Sequence, residues 1–219
     1  MDGEEDKEYF QQIRTYLNSR YQAGATILPS PQNVFRSFNE TRLSDLKVVL
    51  IGQDPYPTPG NACGLCFAIE KSGVDMFGNP LPRKVPASLV NILREMQSDL
   101  GLPAVPSPDV LLSWPSQGVL MLNTTMTVEA GAPLSHSKIG WQKFTDHVIS
   151  AISEHCSGVV FLLWGNFAIG KAALIDTSKH HILTAAHPSP LAGGRFFGSR
   201  PFSRSNELLS SPIDWTRLP

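Results

Sequence analysis

Short apolar runs alternate with amphipathic stretches along this chain. Four continuous aliphatic runs are typical of strands that are buried on both faces of a sheet. They cover residues 47–51, 119–122, 159–164 and 181–185. Strands that alternate with helices favour an α/β fold: a single domain with a central, mostly parallel four-stranded sheet flanked by helices on both faces.

Apolar residues that recur every three or four positions predict the helices between these strands. One apolar helical face runs from Leu89 to Leu100, and another from Trp141 to Ile152. Further helices are expected at residues 9–21, 167–175 and 205–210. Two stretches rich in Gly and Pro, residues 72–86 and 103–115, are interpreted as ordered loops within the same domain.

The composition narrows the class of protein. Of 219 residues, 42% are hydrophobic and 17% are charged, which is typical of a globular chain long enough to bury a substantial core. The longest apolar runs are far shorter than the ~20 residues of a membrane span, and the start of the chain is acidic where a signal peptide is basic. Three Cys residues favour reduced thiols inside a cell. Neither a transmembrane nor a secreted protein is expected.

The charge is near zero overall but unevenly distributed. The formal net charge is -1, yet residues 1–10 hold five acids and one Lys, which leaves +3 on the rest of the chain. Residues 1–8 are expected to form a flexible acidic N-terminus, ahead of a single catalytic domain that includes the whole chain, 1–219. Between residues 187 and 204 lie Arg195, Arg200 and Arg204 with no acid. That stretch is either a solvated loop or a surface that faces a polyanion.

Unusual polar residues follow all four predicted strands. The carboxyl ends of parallel strands meet at one edge of a sheet, where the ligands of open α/β folds bind. The residues brought to that edge are Gln53, Asp54 and Tyr56 after the first strand, Asn123 after the second, Gly165 and Asn166 after the third, and His187 and Ser189 after the fourth. Each alone has an ordinary structural explanation, because Asp and Asn favour turns and a lone His is usually structural. Their joint placement predicts a ligand site.

Two motifs suggest other chemistry but are incomplete. Residues 165–172 approach the phosphate-binding pattern G-x-x-x-x-G-K-[ST], yet Ala172 lacks the hydroxyl that would hold Mg²⁺. Ser189 lacks the G-x-S-x-G setting of a hydrolase nucleophile. Neither a nucleotide triphosphate site nor a serine hydrolase is therefore favoured.

Cys63 and Cys66 have the spacing of a metal or redox site. Cys156 is the only other Cys, so an all-Cys site with four ligands is impossible. A metal would instead need histidines, and the candidates are His180, His181 and His187. We expect no metal.

The strand-end motifs together resemble those of the family 1 uracil-DNA glycosylases. These motifs are Gly52-Gln53-Asp54-Pro55-Tyr56, Leu122-Asn123 and His187-Pro188-Ser189-Pro190-Leu191, in that order. The similarity extends over nearly the whole chain, from Tyr9 to Trp215. The resemblance implies a monomeric enzyme without cofactor that flips deoxyuridine out of DNA and hydrolyses its N-glycosidic bond. Free uracil and an abasic site would result, and base-excision repair would follow.

The resemblance also implies roles for the pocket residues. Cleavage of a base from its sugar needs a carboxylate near the developing sugar cation and a donor at the base oxygen. Asp54 would orient the attacking water and stabilise the cation, and His187 would donate to uracil O2. The uracil-binding residues would be Asn123 on the O4 and N3 edge, Phe67 stacked on the ring, Tyr56 in the space of a thymine methyl, and Gln53 through its backbone.

Contacts with DNA follow from the same resemblance. Leu191 would enter the base stack behind the flipped nucleotide. The residues expected at the DNA backbone are Ser88, Ser189, Gly165 and Asn166, with Pro86 stiffening its loop and Arg195 in the basic stretch. Such contacts position an enzyme on DNA without reading its sequence.

Some positions depart from the usual family pattern. Pro57 stands where most members have His, and the loop after Leu191 is one residue shorter than usual. Ala192 and Pro201 replace the more common Ser and His, Asn166 replaces Ser, and Ala87 replaces a second Pro. The departures concern the grip on DNA and the water near Asp54, and they leave the pocket residues unchanged.

Two other functions stay open from the residues alone. One is a catalytically silent DNA-binding protein that keeps the fold, and the other is a glycosylase with relaxed base choice. The expected partner is uracil-containing DNA, single- or double-stranded, with a proteinaceous glycosylase inhibitor as a further candidate and no membrane. The location would be cytoplasmic in a bacterium and nuclear in a eukaryote.

Overall fold

A parallel four-stranded sheet forms the centre of the protein, as predicted. The computed structural model describes residue 3, residues 6–69 and residues 84–219. Its strands are β1 (Ile27–Leu28), β2 (Val48–Gly52), β3 (Val119–Asn123), β4 (Val128–Glu129), β5 (Val160–Trp164) and β6 (His181–Ala185). The central sheet has the order β3-β2-β5-β6, and β1 pairs with β4 in a separate antiparallel ribbon.

Helices cover both faces of the sheet. The α-helices are α1 (Glu8–Gln22), α2 (Arg36–Glu40), α3 (Ala87–Asp99), α4 (Trp141–His155), α5 (Asn166–Ile169) and α6 (Pro201–Leu208). Short 3₁₀ helices occupy Pro31–Asn33, Leu43–Asp45, Pro108–Ser113, Pro115–Gln117, Gly170–Leu174 and Pro190–Ala192. None of the helices in the described ranges combines the length and the apolar character needed to cross a bilayer.

Successive residues of β2, β3 and β5 point into opposite apolar layers. The edge strand β6 leaves His181 and Thr184 exposed, so the expectation that all four strands are buried on both faces is wrong for β6. Val48 and Leu50 of β2 pack in one layer with the apolar face of α3, and α6 closes the same layer. Val49 and Ile51 pack in the opposite layer with Ile149 of α4. All five residues of β2 are buried, which explains why this strand reads as a continuous aliphatic run instead of an alternating one.

The strand order creates a crevice at one edge of the sheet. The chain passes from β2 to β3 in one direction and then returns past β2 to β5 and β6. Because such crossovers are right-handed, α3 and α4 lie on opposite faces of the sheet. Ligands of this fold class bind beyond the strand ends where the direction changes, which is between β2 and β5.

Several local predictions need correction or lie outside the described residues. The last helix begins at Pro201, not at residue 205, and ends at Leu208, because a Pro in the first turn and a carboxylate from α3 define its start. The helix expected at 167–175 is divided into α5 and a 3₁₀ helix. Most of the loop expected at 72–86, and four residues of the expected flexible N-terminus, fall outside the described residues.

Three aromatic side chains join the C-terminal segment to the domain. Trp215 is 1% exposed, and its ring packs edge-on against Trp114 at 4.9 Å and against Phe202 at 5.3 Å. Its indole N–H donates to the carbonyl of Phe202, and the indole of Trp114 donates to the carbonyl of Trp215. The end of the chain is thus part of the same core as α3 and α6.

We expect Trp215→Ala to lower the free energy of unfolding by about 3–5 kcal/mol, because it leaves a large cavity in that core. Equilibrium unfolding in urea measures this value. The control is Leu218→Ala, which removes a side chain that is 61% exposed and should cost no more than about 0.5 kcal/mol. Equal small losses in both variants would mean that the C-terminal segment does not unfold together with the core.

Candidate active site

A cavity of about 570 Å³ opens at the carboxyl edge of the sheet. Its lining includes all six residues predicted for the pocket, namely Gln53, Asp54, Tyr56, Phe67, Asn123 and His187. Three predicted DNA contacts, Ser88, Ser189 and Leu191, line it as well. Its volume is that of a small-molecule site.

Gly52 allows the amide of Asn123 to enter the site. The two residues are paired across β2 and β3, and a Cβ on Gly52 would lie 2.4 Å from Asn123 Oδ1 and 2.8 Å from the Cβ of Cys66. Any other residue would push the amide away. The backbone after β2 is also fixed, because the N–H of Thr125 donates to the carbonyl of Gln53 at 2.8 Å.

The carboxylate of Asp54 accepts hydrogen bonds from the backbone. The N–H of Leu134 donates to Asp54 Oδ2 at 2.9 Å. Burial raises the pKa of Asp54 above its usual value, and the hydrogen bond from Leu134 acts in the opposite direction. Leu134 adopts a φ of 64°, which a branched side chain rarely does, so the loop that carries it must hold it there.

His187 is arranged as a neutral hydrogen-bond donor. The N–H of Ser189 donates to His187 Nδ1 at 3.0 Å, so Nδ1 acts as an acceptor and the ring proton resides on Nε2. Burial lowers the pKa of His187, which favours the neutral imidazole. A neutral ring with its proton on Nε2 can stabilise a developing anion without giving up that proton.

Gly165 makes room for the imidazole. It adopts a φ of 92°, and a Cβ there would lie 2.8 Å from the Cβ of His187. Its N–H donates to the carbonyl of Ala185 at 2.9 Å, which ties the end of β5 to the end of β6. Gly165 itself is buried and lies behind His187, whereas its neighbour Asn166 is exposed at the start of α5.

The two aromatic residues of the pocket are linked to each other. The hydroxyl of Tyr56 donates to the carbonyl of Phe67 at 3.0 Å and lies 3.2 Å from Ser88 Oγ, so Ser88 is the donor in that second pair. Burial raises the pKa of Tyr56 and keeps the phenol neutral. The Phe67 ring lies 5.5 Å from Trp164 and 5.9 Å from His187, with a backbone φ of 62°. Phe67 is therefore held at its carbonyl by Tyr56 and at its ring by Trp164 and His187.

The rim of the cavity carries an apolar side chain that is almost fully exposed to solvent. Leu191 is 96% exposed at the centre of the 3₁₀ helix Pro190–Ala192. Arg195 is exposed on the same loop, and its Nε donates to the carbonyl of Ala192 at 3.0 Å. Four predicted DNA contacts lie outside the cavity lining: Pro86, Gly165, Asn166 and Arg195.

The contribution of Leu134 was not predictable from the sequence. It acts through its backbone N–H, and no side-chain pattern marks such a donor. Asn91 was also missed: its Nδ2 donates to the carbonyl of Pro188 at 2.7 Å and fixes the chain between His187 and Ser189. Its position three residues after Ser88 on one face of α3 was the available signal.

The motifs judged incomplete have structural explanations. Lys171 forms a 2.6 Å ion pair with Asp146. Cys63 and Cys66 are buried, and burial raises the pKa of the Cys66 thiol, which disfavours the thiolate that a metal would need. Both ring nitrogens of His180 face backbone groups. Within the described residues, no group of three or more His, Cys, Asp or Glu side chains could hold a metal ion.

Comparisons with known proteins agree on one family. The family model "Uracil DNA glycosylase superfamily" matches residues 38–210. The uracil-DNA glycosylase of Campylobacter lari is 48% identical over 213 residues, which cover 95% of this chain and 88% of that protein. The uracil-DNA glycosylase of Photorhabdus laumondii is 48% identical over 219 residues, which cover 98% and 92% of the two chains.

Solved structures give the same result. The crystal structure of mimivirus uracil-DNA glycosylase is similar with a TM-score of 0.83 and 28% identity, covering 96% of this chain and 82% of that chain. A variant of mimivirus UNG in complex with UGI has a TM-score of 0.84 and 29% identity, covering 96% and 84%.

We expect Gly165→Ala to displace His187 and to lower stability by about 1–3 kcal/mol, because the new Cβ would clash and would adopt an unfavourable φ. Urea unfolding measures the loss, and the ring resonances of His187 in NMR spectra report the displacement. Gly170→Ala is the control, since a Cβ there meets no atom of the described residues within 4 Å and the φ of -59° suits Ala. An unshifted His187 signal in Gly165→Ala would contradict the packing described.

Proposed function

The chain belongs to the uracil-DNA glycosylase superfamily, and from that premise we propose how its cavity residues carry out the reaction. The enzyme excises uracil from DNA by hydrolysing the N-glycosidic bond of deoxyuridine. The products are free uracil and an abasic site, which initiates base-excision repair. The observation that carries the assignment of roles is that a carboxylate and a neutral imidazole line the same cavity.

We propose Asp54 as the group that acts on the sugar. Extrusion of the nucleotide into the pocket costs a few kcal/mol and exposes the bond to attack. As that bond breaks, the sugar develops the charge of an oxocarbenium ion, which a nearby carboxylate stabilises. The same carboxylate accepts a hydrogen bond from the attacking water and orients it. The hydrogen bond from Leu134 supports this role, because it fixes the orientation of the carboxylate.

His187 acts on the leaving base. Uracil departs with negative charge on O2, and the Nε2–H of a neutral imidazole donates to that oxygen. Its lowered pKa and the donation from Ser189 to Nδ1 support this form of the ring. A preorganised donor of this kind lowers the barrier because it is not reoriented during the reaction.

Three side chains select uracil. The Asn123 amide pairs with the O4 and N3 edge, and cytosine would meet it with donor and acceptor reversed, which leaves buried polar groups unpaired. Phe67 stacks on the ring. Tyr56 occupies the space that a thymine methyl would need, and its hydrogen bond to the carbonyl of Phe67 supports this because the phenol cannot swing aside freely. Gln53 contributes its backbone.

Leu191 enters the duplex behind the flipped nucleotide. Its 96% exposure supports this role, since an isolated apolar side chain fully in water gains by entering the base stack. The DNA backbone contacts are Ser88, Ser189 and Asn166, with Pro86 and Arg195 at the edges of the same surface. Gly165, also predicted as a contact, is buried behind His187 and acts by shaping the turn that presents Asn166. These contacts hold the strand without reading its sequence.

The partner is uracil-containing DNA. UGI, the inhibitor protein in complex with the similar mimivirus UNG, is a further proposed partner. We propose that the chain works as a monomer and as a single catalytic domain over 1–219, with the first eight residues as a flexible acidic extension. The bacterial sources of its relatives support a cytoplasmic location.

Asp54→Asn and His187→Ala should each lower kcat by about 10²–10⁴-fold, because each removes a group that acts on developing charge. Release of uracil from single-stranded DNA in the presence of EDTA measures the rate. Asp45→Asn, at an exposed position of the Leu43–Asp45 helix, is the matched control and should keep full activity. Near-normal rates in either pocket variant would show that its role is misassigned.

Leu191→Ala should lower kcat/KM on duplex DNA by about tenfold and leave single-stranded DNA nearly unaffected, because only the duplex needs a wedge in the stack. Parallel assays on the two substrates give the ratio. Leu43→Ala, which removes another exposed Leu at 61% exposure, should not change that ratio. An equal loss on both substrates would remove the wedge assignment.

A further inference from the structure

Helix α3 carries a polar stripe next to its apolar face. Four residues spaced three or four apart lie on it: Ser88, Asn91, Glu95 and Asp99. Ser88 contacts Tyr56 of the pocket, and the other three contact the chain that follows His187. The contacts of the last three all involve the chain from Pro188 to Ser203, which carries Leu191.

Glu95 is a buried carboxylate that binds backbone alone among its described hydrogen bonds. It is 1% exposed, its Oε2 accepts from the N–H of Gly198 at 2.8 Å, and its Oε1 accepts from the N–H of Arg200 at 2.8 Å. A buried carboxylate is stable only when its oxygens are satisfied. The two N–H groups therefore cannot move away from Glu95 without a large loss of free energy.

Asp99 fixes the chain a few residues further on. Its side chain is fully buried, and its Oδ2 accepts from the N–H groups of Phe202 and Ser203 at 2.9 Å each. Its Oδ1 accepts from the hydroxyl of Ser203. Arg200, at the N-cap of α6, makes no side-chain cap, so a carboxylate from another helix satisfies the first donors of α6.

The other end of the segment is fixed by Asn91. Its Nδ2 donates to the carbonyl of Pro188. Between these anchors, Leu191, Gly193 and Gly194 are exposed, and Phe196 returns to the core with its ring 5.1 Å from Trp164. The loop that carries Leu191 is thus attached to α3 at both ends, at Pro188 and at residues 198–203.

We propose that Glu95 is a positioning residue for action on duplex DNA. It holds the C-terminal end of the Leu191 loop, at Gly198 and Arg200, in the position from which Leu191 reaches the base stack. This inference rests on the proposed role of Leu191. A loop whose ends are fixed before binding loses little conformational freedom when it enters the duplex. Glu95 does not line the pocket, so uracil recognition is independent of it.

Glu95→Gln tests the proposal with a change of the same shape. A Gln side chain keeps one acceptor but turns an NH₂ group toward a backbone N–H. One of the two contacts with the loop backbone therefore becomes repulsive. We expect kcat/KM on duplex DNA to fall about tenfold, while single-stranded excision and inhibition by free uracil stay within about twofold. Glu154→Gln, on α4 with a side chain 75% exposed, is the matched control and should change none of these values.

A double-mutant cycle with Leu191→Ala separates positioning from a general structural role. If Glu95 acts through Leu191, Glu95→Gln should cause no further loss of the duplex-to-single-strand ratio in the Leu191→Ala background. A full additional loss there, or an equal loss on both substrates in the single variant, would overturn the proposal. Should Leu191→Ala itself leave the ratio unchanged, the wedge assignment fails, which is a distinct result from failure of Glu95→Gln alone.

Asp99→Asn provides a second variant should Glu95→Gln not fold. One oxygen of Asn can still accept from both backbone N–H groups, and its NH₂ can donate to the Ser203 hydroxyl, so the helix start survives with weaker contacts. The same ratio should fall about threefold. An unchanged ratio in a folded Asp99→Asn protein would contradict a requirement for the α3 anchors.

Discussion

The site depends on the pairing of β2 inside the parallel sheet. This strand pairs with β3 on one side and with β5 on the other, and all of its side chains are buried in the two apolar layers. Its backbone groups are satisfied and its position is therefore fixed. Because the four strands are parallel, their carboxyl ends meet at one edge, and residues far apart in the chain come together there without any direct attraction between them.

Two glycines leave space at this edge for the side chains of the site. Gly52 lets the Asn123 amide lie over the end of β2, and Gly165 lets His187 approach the end of β5. In both cases the functional side chain occupies the volume that a Cβ would take. The Asn123 amide and the His187 ring are thus positioned by the absence of side chains at Gly52 and Gly165 as much as by their own contacts.

The sequence predicted the parts of the protein that side chains specify. Continuous aliphatic runs located the four central strands, and the residues after them located Asp54, Asn123 and His187 at the cavity. The two-residue strands β1 and β4 are too short for a period to be visible. The start of α6 depends on Asp99 from α3, about a hundred residues away, and the donor to Asp54 is a backbone N–H. Backbone donors and long-range caps leave no local pattern, so tertiary structure was needed to find them.

Burial affects His187 and Asp54 in opposite ways. It favours the neutral form of His187, which its proposed donor role needs, but it disfavours the charged form of Asp54, which its proposed role at the sugar needs. The N–H of Leu134 offsets that second effect, and it does so from a backbone conformation that costs about 1–3 kcal/mol. Two residues later His136 is fully buried, with Nδ1 2.8 Å from Thr127 Oγ1, which also accepts from the indole of Trp141. That buried network anchors the loop, so the hydrogen bond from Leu134 to Asp54 is supported by contacts outside the cavity lining.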